Sequence, residues 1–240
     1  MDESLGGKMI GENSLWRIPR ALHLGLVAAV FNASFLLALP KAEANPPVKL
    51  VAFGDSLTAG YLLKPGESFP VQLAKALSAK GYTVDVTNAG VSGDTTAAGL
   101  ERFDWAVPQG TEAVILELGA NDALRGQSPA EAKANLDTII TKLKDRNIAI
   151  LLTGMIAPKN WGEDYARDFD SMYRELADKH GLILYPFFLE GVALDKTLNL
   201  DDGLHPNGKG VARIVENILP KVEELLRQVE SRRAQIQSKS

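Results

Sequence analysis

From residue 48 onward the chain alternates between two hydrophobic rhythms, and this alternation limits its possible folds more than any other feature. Short apolar runs of strand length, KLVAFG, YTVDVTNAG, AVILELGAND, IAILLTGM and LILYPFF, are separated by longer segments with apolar residues every three or four positions. The longer segments predict helices over about 67–80, 94–106, 129–145, 162–180 and 208–230. In the third, Leu136, Ile139, Ile140 and Leu143 share one face; in the last, Val211, Ile214, Ile218, Val222 and Leu225 do, with Pro220 expected to kink it. Strands that alternate with helices build βαβ units, so the expected architecture is a parallel five-stranded sheet with helices on both faces, a three-layer α/β/α domain. The polar end, QVESRRAQIQSKS, is expected to fray, leaving 45–230 as the folded domain and 231–240 as a tail.

An open parallel sheet binds its ligands beyond the carboxyl ends of its strands. There the sequence places Gly54-Asp55-Ser56, Asn88-Ala89-Gly90, Gly119-Ala120-Asn121-Asp122, Gly154-Met155 and, after the fifth run, NLDDGLHPNGKG. Every cluster of polar residues and glycine thus falls on one edge of the sheet.

Those clusters contain the parts of a nucleophilic site. A reactive serine needs a base within hydrogen-bond reach, a group that orients the base, and donors for the oxyanion. Of the three histidines, His23 lies in the N-terminal leader and His180 at a predicted helix end before Gly181, a common structural arrangement. His205 remains, with Asp202 three residues ahead, where a short turn can bring the carboxylate to one ring nitrogen while the other faces Ser56. Oxyanion donors by placement are the backbone N–H groups of Ser56 and Gly90 and the side-chain amide of Asn121. Gly, Asp, Ser and Asn are also ordinary turn and cap formers, so each cluster taken alone fits a plain turn equally well.

Residues 21 to 39 form an apolar stretch behind Arg17 and Arg20, followed by the small-residue site Ala42-Glu43-Ala44. The pattern is that of a signal peptide over 1–44, cleaved after Ala44, which implies a periplasmic or secreted protein with no membrane span after cleavage. The alternative is an uncleaved anchor, against which stand His23, Asn32 and Ser34 within the stretch. The chain has no cysteine, so export brings no disulfide and the core alone must hold the fold. Net charge is −4 with no basic stripe interleaved with aromatics, which argues against a nucleic-acid partner.

FGDSLTAGY, NAGVSGDTTAAGLERF, LELGANDALRG and DDGLHPN together resemble the four blocks of the SGNH, or GDSL, hydrolase family, in the family's order. Within it, the chain is most similar to the bacterial arylesterase and acyl-CoA thioesterase I/lysophospholipase L1 group, over residues 48 to 226. The resemblance implies a flavodoxin-like fold, Ser56 as nucleophile, Gly90 and Asn121 as oxyanion donors, and Asp202 and His205 as the rest of a triad, with Asp201 only a neighbour. It implies a cofactor-free, metal-free monomer acting on small ester or thioester substrates, as an esterase or thioesterase, or alternatively a lysophospholipase or carbohydrate acetylesterase. GMIAPKNWGEDY resembles the family loop that borders the acyl groove, which makes Met155, Pro158, Asn160, Trp161 and Tyr165 candidate substrate contacts.

Three rivals fit less well. The α/β-hydrolase elbow G-x-S-x-G is absent, since position 58 is Thr. GLHPNGKG imitates a phosphate loop, but Gly210 stands where Ser or Thr would hold magnesium, and Asp201 and Asp202 would repel phosphate. A two-metal phosphoesterase generally needs more histidines than His180 and His205. A non-catalytic binding domain has no need to keep serine, asparagine, aspartate and histidine on one edge.

Overall fold

The computed structural model describes residues 46–238. The expected leader and its cleavage after Ala44 lie outside the described residues.

Thirteen helices and strands follow in order: β1 (Val48–Gly54), α1 (Ser56–Ala59), α2 (Phe69–Ala79), β2 (Val84–Gly90), α3 (Thr96–Glu101), α4 (Phe103–Ala106), β3 (Ala113–Glu117), α5 (Ala120–Leu124), α6 (Pro129–Asp145), β4 (Ala149–Thr153), α7 (Glu163–His180), β5 (Ile183–Tyr185) and α8 (Gly208–Gln237). All neighbouring strands pair in parallel, in the order β2-β1-β3-β4-β5. Helices α2 and α8 pack together on one face, and α3, α6 and α7 on the other. The fold is therefore the three-layer, flavodoxin-like α/β architecture that the sequence predicts.

Burial follows strand position. The central β3 and β4, AVILE and AILLT, are buried throughout, as expected of strands covered on both faces, whereas edge strand β2 is only partly covered. Helix starts match their local chemistry. Ser128 accepts from the Glu131 N–H ahead of Pro129 at the start of α6, and Asn207 accepts from the N–H groups of Lys209 and Gly210 to open α8. No described helix is long and apolar enough to cross a membrane.

Two segments differ from expectation. The helix predicted over 94–106 breaks at Arg102, whose guanidinium turns inward over the Phe53 ring, 4.6 Å from its centroid, donating to the Gly54 carbonyl and pairing with Asp94. The tail predicted to fray instead continues α8 through Gln237, and the helix runs through Pro220 without a break in its span. Arg233 explains the tail: it forks onto both oxygens of Glu112 and donates to the carbonyls of Pro46 and Pro47, tying the last turns to the start of the domain.

Candidate active site

The sheet order changes direction between β1 and β3, and the crevice beyond their carboxyl ends is where such a sheet binds ligands. Strand β1 ends in Gly54, where a Cβ would lie 2.2 Å from Thr58 Oγ1 and 2.4 Å from Glu117 Oε2. Asp55 then caps α1, its Oδ1 accepting from the Leu57 N–H at 3.0 Å. Ser56 is the first residue of that helix and retains 9% of its exposure.

The partner segment is built around a tight turn. The Leu200 N–H donates to the His205 carbonyl at 2.8 Å, and Gly203 takes a left-handed conformation at φ 70°. Asp202 Oδ1 accepts from the N–H groups of Leu204 and His205 at 2.9 and 3.0 Å, and its Oδ2 stands 2.7 Å from His205 Nδ1. The His205 N–H, with that of Leu204 and the ring itself, pulls the Asp202 carboxyl down to about 2. A carboxylate only accepts, so Nδ1 carries the ring proton and Nε2 is left to accept. Nε2 lies 2.9 Å from Ser56 Oγ, across 149 residues of chain. Ser56, His205 and Asp202 thus form one continuous relay.

Gly90 and Asn121 both reach this locus. A Cβ on Gly90 would fall 2.3 Å from Ala59 N and 2.8 Å from the Asp55 carbonyl, so the end of β2 touches the backbone of α1. Its N–H donates to Asn88 Oδ1 at 3.0 Å, while Asn88 Nδ2 donates to the Ala59 carbonyl at 3.2 Å. Asn121, in the first turn of α5, donates one Nδ2 hydrogen to Asp55 Oδ2 at 3.0 Å and keeps a second.

Beneath the serine lies a group that sequence reasoning missed. Glu117 is fully buried; its Oε2 accepts from Thr58 Oγ1 at 2.7 Å and from the Asp55 N–H at 3.3 Å, and its Oε1 has no partner. Burial, reinforced by the charge of Asp55, holds Glu117 well above the usual carboxyl range. Burial likewise pushes Asp55 up to about 6, against the opposing bonds from Leu57 and Asn121. The available signal was one acid closing an otherwise apolar strand, AVILE. Tyr61, whose ring centroid stands 4.7 Å from that of His205, was missed as well.

The segment expected to line an acyl groove is partly reassigned. Met155 is 3% exposed and belongs to the hydrophobic core, because a Cβ on the preceding Gly154 would come within 2.2 Å of the Pro186 carbonyl and the chain is pressed inward there. Pro158 is half-buried and Asn160 exposed, the latter within a short 3₁₀ turn, Lys159–Trp161. Trp161 donates its indole N–H to the Ala123 carbonyl at 2.8 Å, and Tyr165 its hydroxyl to the Gln127 carbonyl at 2.8 Å. Both rings therefore brace the segment that follows Asn121. Among the described residues, no three His, Cys, Asp or Glu side chains gather as a metal site.

A family model described as GDSL-like Lipase/Acylhydrolase matches residues 52–213. An arylesterase of Vibrio mimicus is 39% identical over 176 residues, 73% of this chain and 88% of the relative. The esterase TesA of Pseudomonas aeruginosa is 36% identical over 200 residues, 83% of this chain and 99% of the relative. Among solved structures, AlinE4, an SGNH-hydrolase family esterase, superposes with a TM-score of 0.64 at 47% identity, covering 76% of this chain and 98% of that one.

Proposed function

Because the chain belongs to the GDSL-like lipase/acylhydrolase, or SGNH hydrolase, family, we propose that it hydrolyses carboxylic esters through an acyl intermediate on Ser56. The observation that carries this is the relay of 2.9 Å from Ser56 Oγ to His205 Nε2 and 2.7 Å from Nδ1 to Asp202.

As Oγ bonds to the ester carbonyl carbon, its proton passes to Nε2 and the carbonyl π pair moves onto oxygen. The oxyanion is met by the Ser56 N–H, the second hydrogen of Asn121 and the Gly90 N–H, which exchanges Asn88 for the new acceptor. Collapse breaks the bond to the alcohol, which leaves with the Nε2 proton. Water then repeats the sequence on the acyl-enzyme, releasing the acid and restoring Ser56. Asp202, ionised at any working pH, keeps the ring in the required tautomer throughout.

The relatives' names, arylesterase and esterase, favour aryl esters, and short-to-medium acyl esters are proposed beside them. A thioesterase 1/protease 1/lysophospholipase L1 of Escherichia coli, 37% identical over 159 residues, supports thioesters and lysophospholipids as the second reading. Pro158, Asn160, Trp161 and Tyr165 are proposed to shape the acyl side of the crevice, and the apolar leader supports export to the periplasm or medium.

The test is hydrolysis of p-nitrophenyl esters of increasing chain length, and of an acyl-CoA, by wild type and Ser56→Ala. The alanine variant is expected to lose roughly 10⁴-fold or more in kcat. Undiminished turnover by that variant refutes the serine mechanism, and the chain-length profile separates the esterase from the lysophospholipase reading.

A further inference from the structure

Among the described residues the ring of His205 meets three partners, and the proposed chemistry uses two of them. Its Nδ1 edge meets Asp202 and its Nε2 edge meets Ser56, while its flank meets the ring of Tyr61, tilted by 42°. Tyr61 is 41% exposed, and no described group bonds its hydroxyl; the ring makes the contact.

Tyr61 is held there by more than its own packing. Its N–H donates to the Ser56 carbonyl at 3.2 Å, so the residue follows directly from the helix turn that presents the nucleophile. The next residue, Leu62, takes a left-handed conformation at φ 56° although it carries a side chain, a local strain that surrounding bonds must hold. Those bonds run to the segment bearing His205. The Lys64 N–H donates to Glu67 Oε2, and Gln72 Nε2 bridges the carbonyls of Glu67 and Gly208 at 2.8 and 3.0 Å. The Glu67 carboxylate fills the space that a Cβ on Gly208 would need, with its carbon 2.8 Å away. The 61–68 segment is thus fastened to the start of α8, just past the imidazole.

Resting on the ester hydrolysis proposed above, we infer that Tyr61 is a positioning residue for His205: its ring keeps the imidazole aligned between Ser56 and Asp202, and its π face favours the imidazolium formed while the Ser56 proton is held. An aromatic face close to a cation at a partly exposed site contributes about a two- to five-fold factor. The charged groups around the ring are otherwise the Asp202 carboxylate at Nδ1 and, through space, Asp55 at the cap of α1, both of which are untouched by changes at position 61.

The experiment compares Tyr61→Phe, Tyr61→Leu and Tyr61→Ala with wild type, using p-nitrophenyl acetate, whose short acyl group makes little demand on the crevice. The pH profile of kcat/KM is recorded for each. Removing the ring is expected to lower kcat/KM about two- to five-fold in Tyr61→Leu and to move the acid limb of the profile to lower pH by about 0.3–0.7 unit, the same factor expressed as protonation. Tyr61→Ala, which also frees the imidazole to rotate, loses more; Tyr61→Phe stays within two-fold of wild type because the hydroxyl has no partner. The position of the acid limb is independent of the fraction of folded enzyme, so poor folding of a variant does not mask the result. An unmoved limb in the Leu and Ala variants, or a Phe variant as impaired as Leu, overturns the role of Tyr61 while leaving the hydrolase standing. Equal activity of wild type and Ser56→Ala would instead remove the hydrolase itself.

Discussion

Gly90→Ala tests whether the end of β2 positions an oxyanion donor or merely turns the chain. The added methyl would stand 2.3 Å from Ala59 N, 2.7 Å from Ala59 Cα and 2.8 Å from the Asp55 carbonyl, all backbone atoms that cannot rotate away. Relief to ordinary contact at 3.4 Å requires the strand end and α1 to part by about 1.1 Å. Gly90 is not among the residues with positive φ, so the substitution adds no dihedral strain and its effect is this separation. The Thr58 bond to Glu117 fastens α1 to β3 and resists its movement, which leaves the Gly90 N–H as the group displaced. A displacement near 1 Å in a catalytic arrangement costs roughly 10²-fold, and loss of one oxyanion donor roughly 10²–10³. Since β2 is an edge strand free to shift, the stability loss should sit at the lower end of the 1–3 kcal/mol usual for overpacking, lowering Tm by about 2–4 °C. Steady-state kinetics with p-nitrophenyl butyrate and a thermal melt are expected to show kcat about 10²-fold lower, KM within a few-fold of wild type, and a cooperative transition. A folded Gly90→Ala enzyme with kcat within three-fold of wild type would refute Gly90 as a donor.

Glu117, held well above its ordinary range by burial and by the Asp55 charge, should tolerate Glu117→Gln, whereas Glu117→Leu leaves the Asp55 N–H and the Thr58 hydroxyl unpaired and should cost about 1–3 kcal/mol by denaturant unfolding. Both buried carboxyls bind their proton more firmly folded than unfolded, so stability falls as pH rises from near 4, through about 6 for Asp55 and further for Glu117, which is held well above its ordinary range. That slope should be shallower in Glu117→Gln, and an identical slope argues against a protonated Glu117. At the opposite edge of the sheet, Arg233→Met removes the fork onto Glu112 and should lower Tm by about 2–6 °C, an effect that shrinks in 1 M salt. An unchanged Tm would mean that the last turns of α8 do not depend on this pair.

What could be read from the sequence is what local patterns encode. The uninterrupted apolar runs gave β3 and β4, and apolar residues every three or four positions gave α6 over the expected 129–145. The relay was legible because the hydroxyl stood at one strand end and the imidazole, with its carboxylate three residues ahead, in another loop, both of which topology brings to one edge. The failures share a cause in long-range contacts. Arg102 is a good helix former whose side chain is claimed by Phe53 and Gly54, about half a hundred residues earlier, and the polar end of α8 is held by Glu112, 121 residues before Arg233. Met155 looked available because it follows a strand-end glycine, yet that glycine is there to let the Pro186 carbonyl approach. Glu117 carries no periodic signal, since one acid at the end of a buried strand reads like the start of a loop.

Asp55 shows why the residue between the strand-ending glycine and the serine is an acid rather than an amide. One of its oxygens accepts from the Leu57 N–H and caps the helix that begins at Ser56; the other accepts from Asn121 and so holds the helix that follows β3. A single side chain thereby joins both sides of the crevice where the sheet reverses direction. An asparagine offers one acceptor and one donor, so it would have to give up the cap or face Asn121 with its own amide nitrogen, turning the Asn121 oxygen toward the place where an oxyanion forms. The carboxylate avoids this at the expense of burying charge, which is why Asp55 is pushed up to about 6. Glu117 sets the condition under which that charge is tolerated. Two nearby carboxyls inside the fold do not both ionise readily, and burial together with the Asp55 charge holds Glu117 well above its ordinary range, which leaves the charge to Asp55. A Glu117 held well above its ordinary range is thus what lets Asp55 carry the charge that joins the cap of the Ser56 helix to the amide of Asn121.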